Sequence, residues 1–158
     1  MRIARSGSFV FFAQWVAAAL LPAVFFFAAP WLEAKSEPFV RTPFAFLTIP
    51  ILIIPPLLTL LDAEGRRERA TRVAYDVASF VLWFAILFGG LTLPNPDPNQ
   101  ARDSALMNSW GIAYGRIPPI FVFAVCVIAA AYLAQVVTAI MSIMAGRRRA
   151  GVPHRSRT

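Results

Sequence analysis

The chain has 158 residues, of which 58% are hydrophobic and 15% charged, with a formal net charge of +7. Soluble domains average about 25% charged residues, so a water-soluble globule of this makeup would lack the polar surface to cover itself. Lipid tails solvate apolar side chains directly, and a single membrane domain over residues 1–158 is the expectation.

Crossing about 30 Å of hydrocarbon at about 1.5 Å per residue takes about 20 apolar residues. Four segments, about 9–32, 44–61, 73–93 and 117–145, approach or exceed that length with no charge at their centres. The expected fold class is therefore an all-α integral membrane protein of four transmembrane helices. The first run exceeds the 7–15 residues of a secretory h-region and reads as a span, not a cleaved leader.

Arginine sets the expected orientation. Arg2 and Arg5 precede the first span; Arg66, Arg67, Arg69 and Arg72 lie between the second and third; Arg147, Arg148, Arg149, Arg155 and Arg157 follow the fourth. The other two loops hold only Lys35, Arg41, Arg102 and Arg116. Basic loops stay cytoplasmic, which predicts N-in and C-in with a basic cytoplasmic tail over 146–158. The bacterial inner membrane is the expected location.

In the first span, Pro22 removes a backbone hydrogen bond and predicts a kink, while Trp31 suits the outer aromatic belt. Gln14 sits near the cytoplasmic end, where reaching headgroups is the expected fate of its amide. The second span carries Pro50, Pro55 and Pro56, with Pro43 ahead of it. Such helices persist in lipid when neighbours satisfy the freed carbonyls. A static kink is the favoured reading, and a hinge beside a cavity the sharper one.

Residues 62–72 form a short charged turn, making the second and third spans an antiparallel hairpin. Arg72 and Asp76 stand four apart, a spacing that predicts an interfacial ion pair on one helix face; an ionisable group in a span is otherwise a functional candidate. Beyond the third span, Asp97-Pro98-Asn99-Gln100 reads as a helix start. A short interfacial helix is expected from Pro98 to Trp110, ending at Gly111 in the second outer loop.

The fourth span holds a ladder at four-residue spacing: Cys126, Ala130, Ala134, Thr138, Ser142 and Gly146. Small residues let helix backbones approach closely, so Ala130, Ala134, Thr138 and Ser142 are helix-packing candidates. Each step of four advances 40° beyond a full turn, so about three rungs serve any one contact. Arg147, Arg148 and Arg149 are the lipid-headgroup candidates, since positive charge after a span suits anionic headgroups.

Reactive groups are scarce. The one histidine, His154, lies in the tail, and the one cysteine excludes an intrachain disulfide and Cys-x-x-Cys chemistry. No carboxylate lies mid-span, no phosphate loop is present, and no nucleophile–base pair stands out. The expectations are no enzyme activity, no metal, no cofactor, no nucleic acid and no identified small-molecule substrate. The partners expected are membrane lipids, anionic headgroups included, and other membrane subunits.

These readings converge on a non-catalytic accessory or structural subunit of a larger inner-membrane complex. The alternative is a small transporter or channel component whose path is lined by the proline-rich second span with Gln14, Gln135 and Tyr132. A lipid-acting enzyme using Asp97, Asp103 and Asn108 is the weakest class.

Overall fold

The computed structural model describes residues 8–27, 38–68, 71–93, 110–111 and 117–150. Most of those residues are helical, with no strand among them. Four long helices form: α1 Phe9–Phe27, α2 Pro38–Leu61, α4 Val73–Leu91 and α5 Ile117–Ala150, with a single-turn-and-a-half α3 at Ala63–Glu68. Two helical segments, Val73–Leu91 and Pro119–Gly146, are long and apolar enough to cross a membrane; Phe9–Val24 and Phe46–Leu61 are shorter apolar stretches.

The helices close into a ring in which α1 packs on α2, α2 on α5, α5 on α4 and α4 on α1. The α4–α5 pair is the most extensive contact. At one end Val10 meets Tyr75 and Ala139, with Leu58 alongside. At the other, Gly89 lies against Ile128, Phe44 and Ala124. Successive long helices therefore alternate in direction.

The core joins Leu21, Leu52, Leu82, Ile86 and Ile128 to Ala17, Ala85 and Ala131. Ile86 is 0% exposed. Where lipid replaces water, apolar burial gives little drive for association, and close van der Waals fit carries the packing. The three alanines shorten the distance between helix axes and make that fit available.

Several boundaries differ from expectation. The second helix begins at Pro38, ahead of residue 44, and runs through Pro43, Pro50, Pro55 and Pro56. Pro38 opens that helix, where its missing N–H would have no partner anyway, while Pro43 falls inside it and removes one backbone bond. The fourth helix continues through Arg147, Arg148 and Arg149 to Ala150, beyond residue 145. At about 1.5 Å per residue its 34 residues measure about 51 Å. The expected helix from Pro98 lies mostly outside the described residues. Trp110 is helical, and Gly111 follows it at φ 61°. That left-handed conformation suits a helix C-terminus and favours glycine.

Candidate functional site

The end of the bundle formed by the start of α1, the end of α2, the start of α4 and the last turns of α5 is rich in buried polar groups. Gln14 is 2% exposed and does not reach the headgroup region as its position in the sequence suggests. Its Nε2 donates to Phe11 O at 3.0 Å and to Thr59 Oγ1 at 3.3 Å, and its Oε1 accepts the Tyr75 hydroxyl at 2.9 Å. One side chain thereby ties α1 to α2 and α4. The reason is geometric: Gln14 lies on the same face as Val10, Ala17 and Leu21, which pack inward. An amide carried into the core must find partners there.

A second junction ties α4 to α5. Gln135 Nε2 donates to Ser79 Oγ at 2.6 Å, while the Ser79 hydroxyl donates to Tyr75 O at 2.8 Å. Because Ser79 spends its proton on that carbonyl, Gln135 must present its NH₂, and the amide orientation is fixed. Gln135 Oε1 is buried with no hydrogen-bond partner among the described residues.

Closer to the end, Ser142 Oγ donates to Asp62 Oδ2 at 2.5 Å, joining α5 to the α2–α3 corner. Thr71 Oγ1 donates to Asp76 Oδ1. A cavity of about 20 Å³ lies between these groups, lined by Thr59, Asp62, Thr71, Tyr75, Thr138 and Ser142 among others. That is room for about one water molecule. It admits no larger solute.

The expected Arg72–Asp76 ion pair is corrected here. Arg72 precedes α4 in an extended conformation, φ −80° and ψ 146°, so its side chain is not set on the helix face that carries Asp76. The four-residue rule applies only where both residues are helical. The carboxylate takes the Thr71 hydroxyl instead, and the Arg72 carbonyl accepts the Asp76 N–H at 3.0 Å.

The proline candidates separate. Pro22, Pro55 and Pro56 are buried, whereas Pro50 lies on an exposed face of α2 and does not border the interior. Thr59 Oγ1 donates to Pro56 O at 2.7 Å. Tyr132 is half-buried against the core.

The packing candidates on α5 also separate. Ser142 is buried, and Thr138 is half-buried with its hydroxyl donating to Ala134 O at 2.7 Å. Ala130 and Ala134 are exposed. The inward face of α5 is Ala124, Ile128, Ala131, Gln135, Ala139 and Ser142, a mixture of three- and four-residue steps. Such alternation follows the 3.6-residue turn and stays on one side, while the uniform four-residue ladder rotates away. Cys126 is likewise exposed. Arg147, Arg148 and Arg149 lie on the helical continuation, beyond which residues 151–158 fall outside the described region.

No group of three or more histidine, cysteine, aspartate or glutamate residues suited to a metal occurs among the described residues. Comparison with protein-family models, with curated proteins and with solved structures finds no match to this chain.

Proposed function

We propose that the chain is a four-span protein of the bacterial inner membrane, with both termini cytoplasmic, acting as a non-catalytic subunit that docks against another membrane-spanning helix. One observation carries this reading: the outward face of α5. Cys126, Ala130, Leu133, Ala134, Val137, Met141 and Met144 are all exposed on it. From Cys126 to Met144 that face extends about 27 Å, close to the full hydrocarbon thickness. Its alanines at four-residue spacing leave a shallow seam that permits close helix approach.

The orientation draws support from the polar end of the bundle. Arg66 and Arg67 of α3 are exposed there, and the α5 extension bearing Arg147, Arg148 and Arg149 emerges at the same end. Positive charge gathers on the cytoplasmic side of a membrane protein, where anionic lipid adds about 1 kcal/mol per basic residue near the surface.

A second reading, a small transporter, is favoured by the polar seam from Gln14 through Tyr75 and Ser79 to Gln135. Against it stand the one-water size of the cavity and the outward position of Pro50.

The test is site-specific photocrosslinking in native membranes from Ala134 on the outer face, with Ala131 on the inner face as control. A single discrete adduct with another integral membrane chain from position 134, absent from 131, is the expected result. Adducts to lipid alone, together with solute flux into proteoliposomes of the purified chain, would overturn the subunit reading in favour of transport.

A further inference from the structure

We infer that the small cavity at the polar end of the bundle binds one dehydrated monovalent cation, potassium in preference to sodium. The site lies in the interior, between the end of α2, the start of α4 and the last turns of α5. It is separate from the exposed face of α5 and does not depend on a partner helix.

Hydroxyls of Thr59, Thr71, Tyr75, Thr138 and Ser142 line the cavity, and a hydroxyl has one proton to give. All of those protons are already spent. Thr59 donates to Pro56 O at 2.7 Å, Tyr75 to Gln14 Oε1 at 2.9 Å and Thr138 to Ala134 O at 2.7 Å. Thr71 donates to Asp76 Oδ1, and Ser142 to Asp62 Oδ2 at 2.5 Å. Each hydroxyl therefore keeps only lone pairs for an occupant, and Asp62 adds a carboxylate to the same wall. Among the described residues, Arg72 is the one wall side chain that carries donors. It is half-buried, and the long arginine stem lets the charged end stay in water.

Positive charge suits such a wall better than water does. A water molecule shares its two protons among the surrounding oxygens, whereas a hard cation engages every lone pair within reach. Asp76 adds to the field. It is 5% exposed, and its Oδ2 has no hydrogen-bond partner among the described residues. A buried carboxylate with an unmet oxygen favours positive charge nearby, and the Thr71 hydroxyl joins it to the wall. Charge and size then narrow the ion. Divalent ions gather several carboxylates or keep their waters, and among the described residues Asp62 is the one carboxylate lining this cavity. At about 20 Å³ the space takes one water-sized body. Potassium is close to water in radius and fits with the walls where they stand. Sodium is smaller and requires them to close in.

The experiment follows thermal unfolding of the full chain in detergent, in potassium, sodium or choline chloride at one ionic strength. A saturable rise in the midpoint by a few degrees in potassium, smaller in sodium and absent in choline, is expected. Equilibrium dialysis with radioactive rubidium, a potassium surrogate, should find a single ion per chain. Thr138→Val removes a wall oxygen whose proton goes only to carbonyls of its own helix, so the bundle is retained. It should weaken rubidium binding about tenfold. Asp62→Asn still offers Ser142 an acceptor and should abolish binding. Gln135→Met, outside the wall, should leave it intact. Binding that survives both Thr138→Val and Asp62→Asn overturns the site. A sodium response equal to or above that of potassium overturns the choice of ion. Equal midpoints in all three salts overturn the cation itself. A potassium response that then emerges only in Arg72→Gln identifies the guanidinium as the occupant, and its absence there identifies water.

Discussion

The Tyr75 hydroxyl donates to Gln14 Oε1 at 2.9 Å, joining residues 61 positions apart in the chain and both buried. Gln14 in turn spends both amide hydrogens, one on Phe11 O and one on Thr59 Oγ1. Three helices thus share one side chain whose hydrogen-bonding groups are all engaged. In an apolar setting an unmade bond has no water to replace it, which makes this junction a determinant of helix register.

Gln14→Leu leaves the Tyr75 hydroxyl without its acceptor and is expected to destabilise the bundle by about 1–2 kcal/mol. Adding Tyr75→Phe should recover part of that loss, giving a coupling of roughly 0.6–1.7 kcal/mol in a double-mutant cycle. Unfolding in mixed micelles monitored by circular dichroism measures it. Additive losses would show that the two side chains act independently.

Gln135 behaves differently, because its Oε1 has no partner among the described residues. Gln135→Met should change stability by less than about 1 kcal/mol, since removing a half-satisfied buried amide offsets the lost bond to Ser79. The same variant separates the two functional readings. Loss of solute flux with stability retained would favour transport; a silent substitution accords with a packing role.

Neighbouring alanines on α5 should respond oppositely. Ala131 is buried in the core, and Ala131→Leu is expected to cost about 1–3 kcal/mol by overpacking. Ala130 is exposed, so Ala130→Leu should leave bundle stability within about 0.5 kcal/mol while weakening association with a partner helix. Thermal melts of the purified chain beside crosslinking yields in membranes read both effects.

Two glycines allow a further contrast. A Cβ on Gly89 would stand 3.3 Å from Ile128 Cδ1 and 3.5 Å from Phe44 Cζ, whereas one on Gly146 would stand 3.6 Å from Asp62 Oδ1. Gly146→Ala meets ordinary contact and should stabilise α5 by about 0.5–1 kcal/mol through backbone entropy. Gly89→Ala should be near neutral, because the flexible end of Ile128 must give way and offsets a similar gain. Gly89→Leu should lower the melting temperature clearly, by pressing α4 off α5.

Parts of this arrangement were legible in the residues. The uncharged runs delivered the long helices, and Gly111 after Trp110 marked a left-handed stop that the structure retains. Arg72–Asp76 failed because the helix begins one residue later than the spacing argument needs. The four-residue ladder of small residues does not follow the inward face of α5, because a uniform step of four drifts around the helix. The pattern that did mark the interior of α4, Tyr75, Ser79, Leu82, Ile86 and Gly89, alternates steps of four and three. It mixes polar with apolar residues, so hydrophobicity alone conceals it.

Hydrophobic content and charge spacing by themselves determined that the chain is helical and where the long apolar runs fall, because backbone groups without water must bond within their own segment. Only the tertiary structure decided which glutamine meets which hydroxyl, which alanines face outward, and that α4 packs more extensively on α5 than on α1. Those outcomes depend on the rotation of each helix about its axis. Packing against neighbouring helices sets that rotation, and no single segment encodes it.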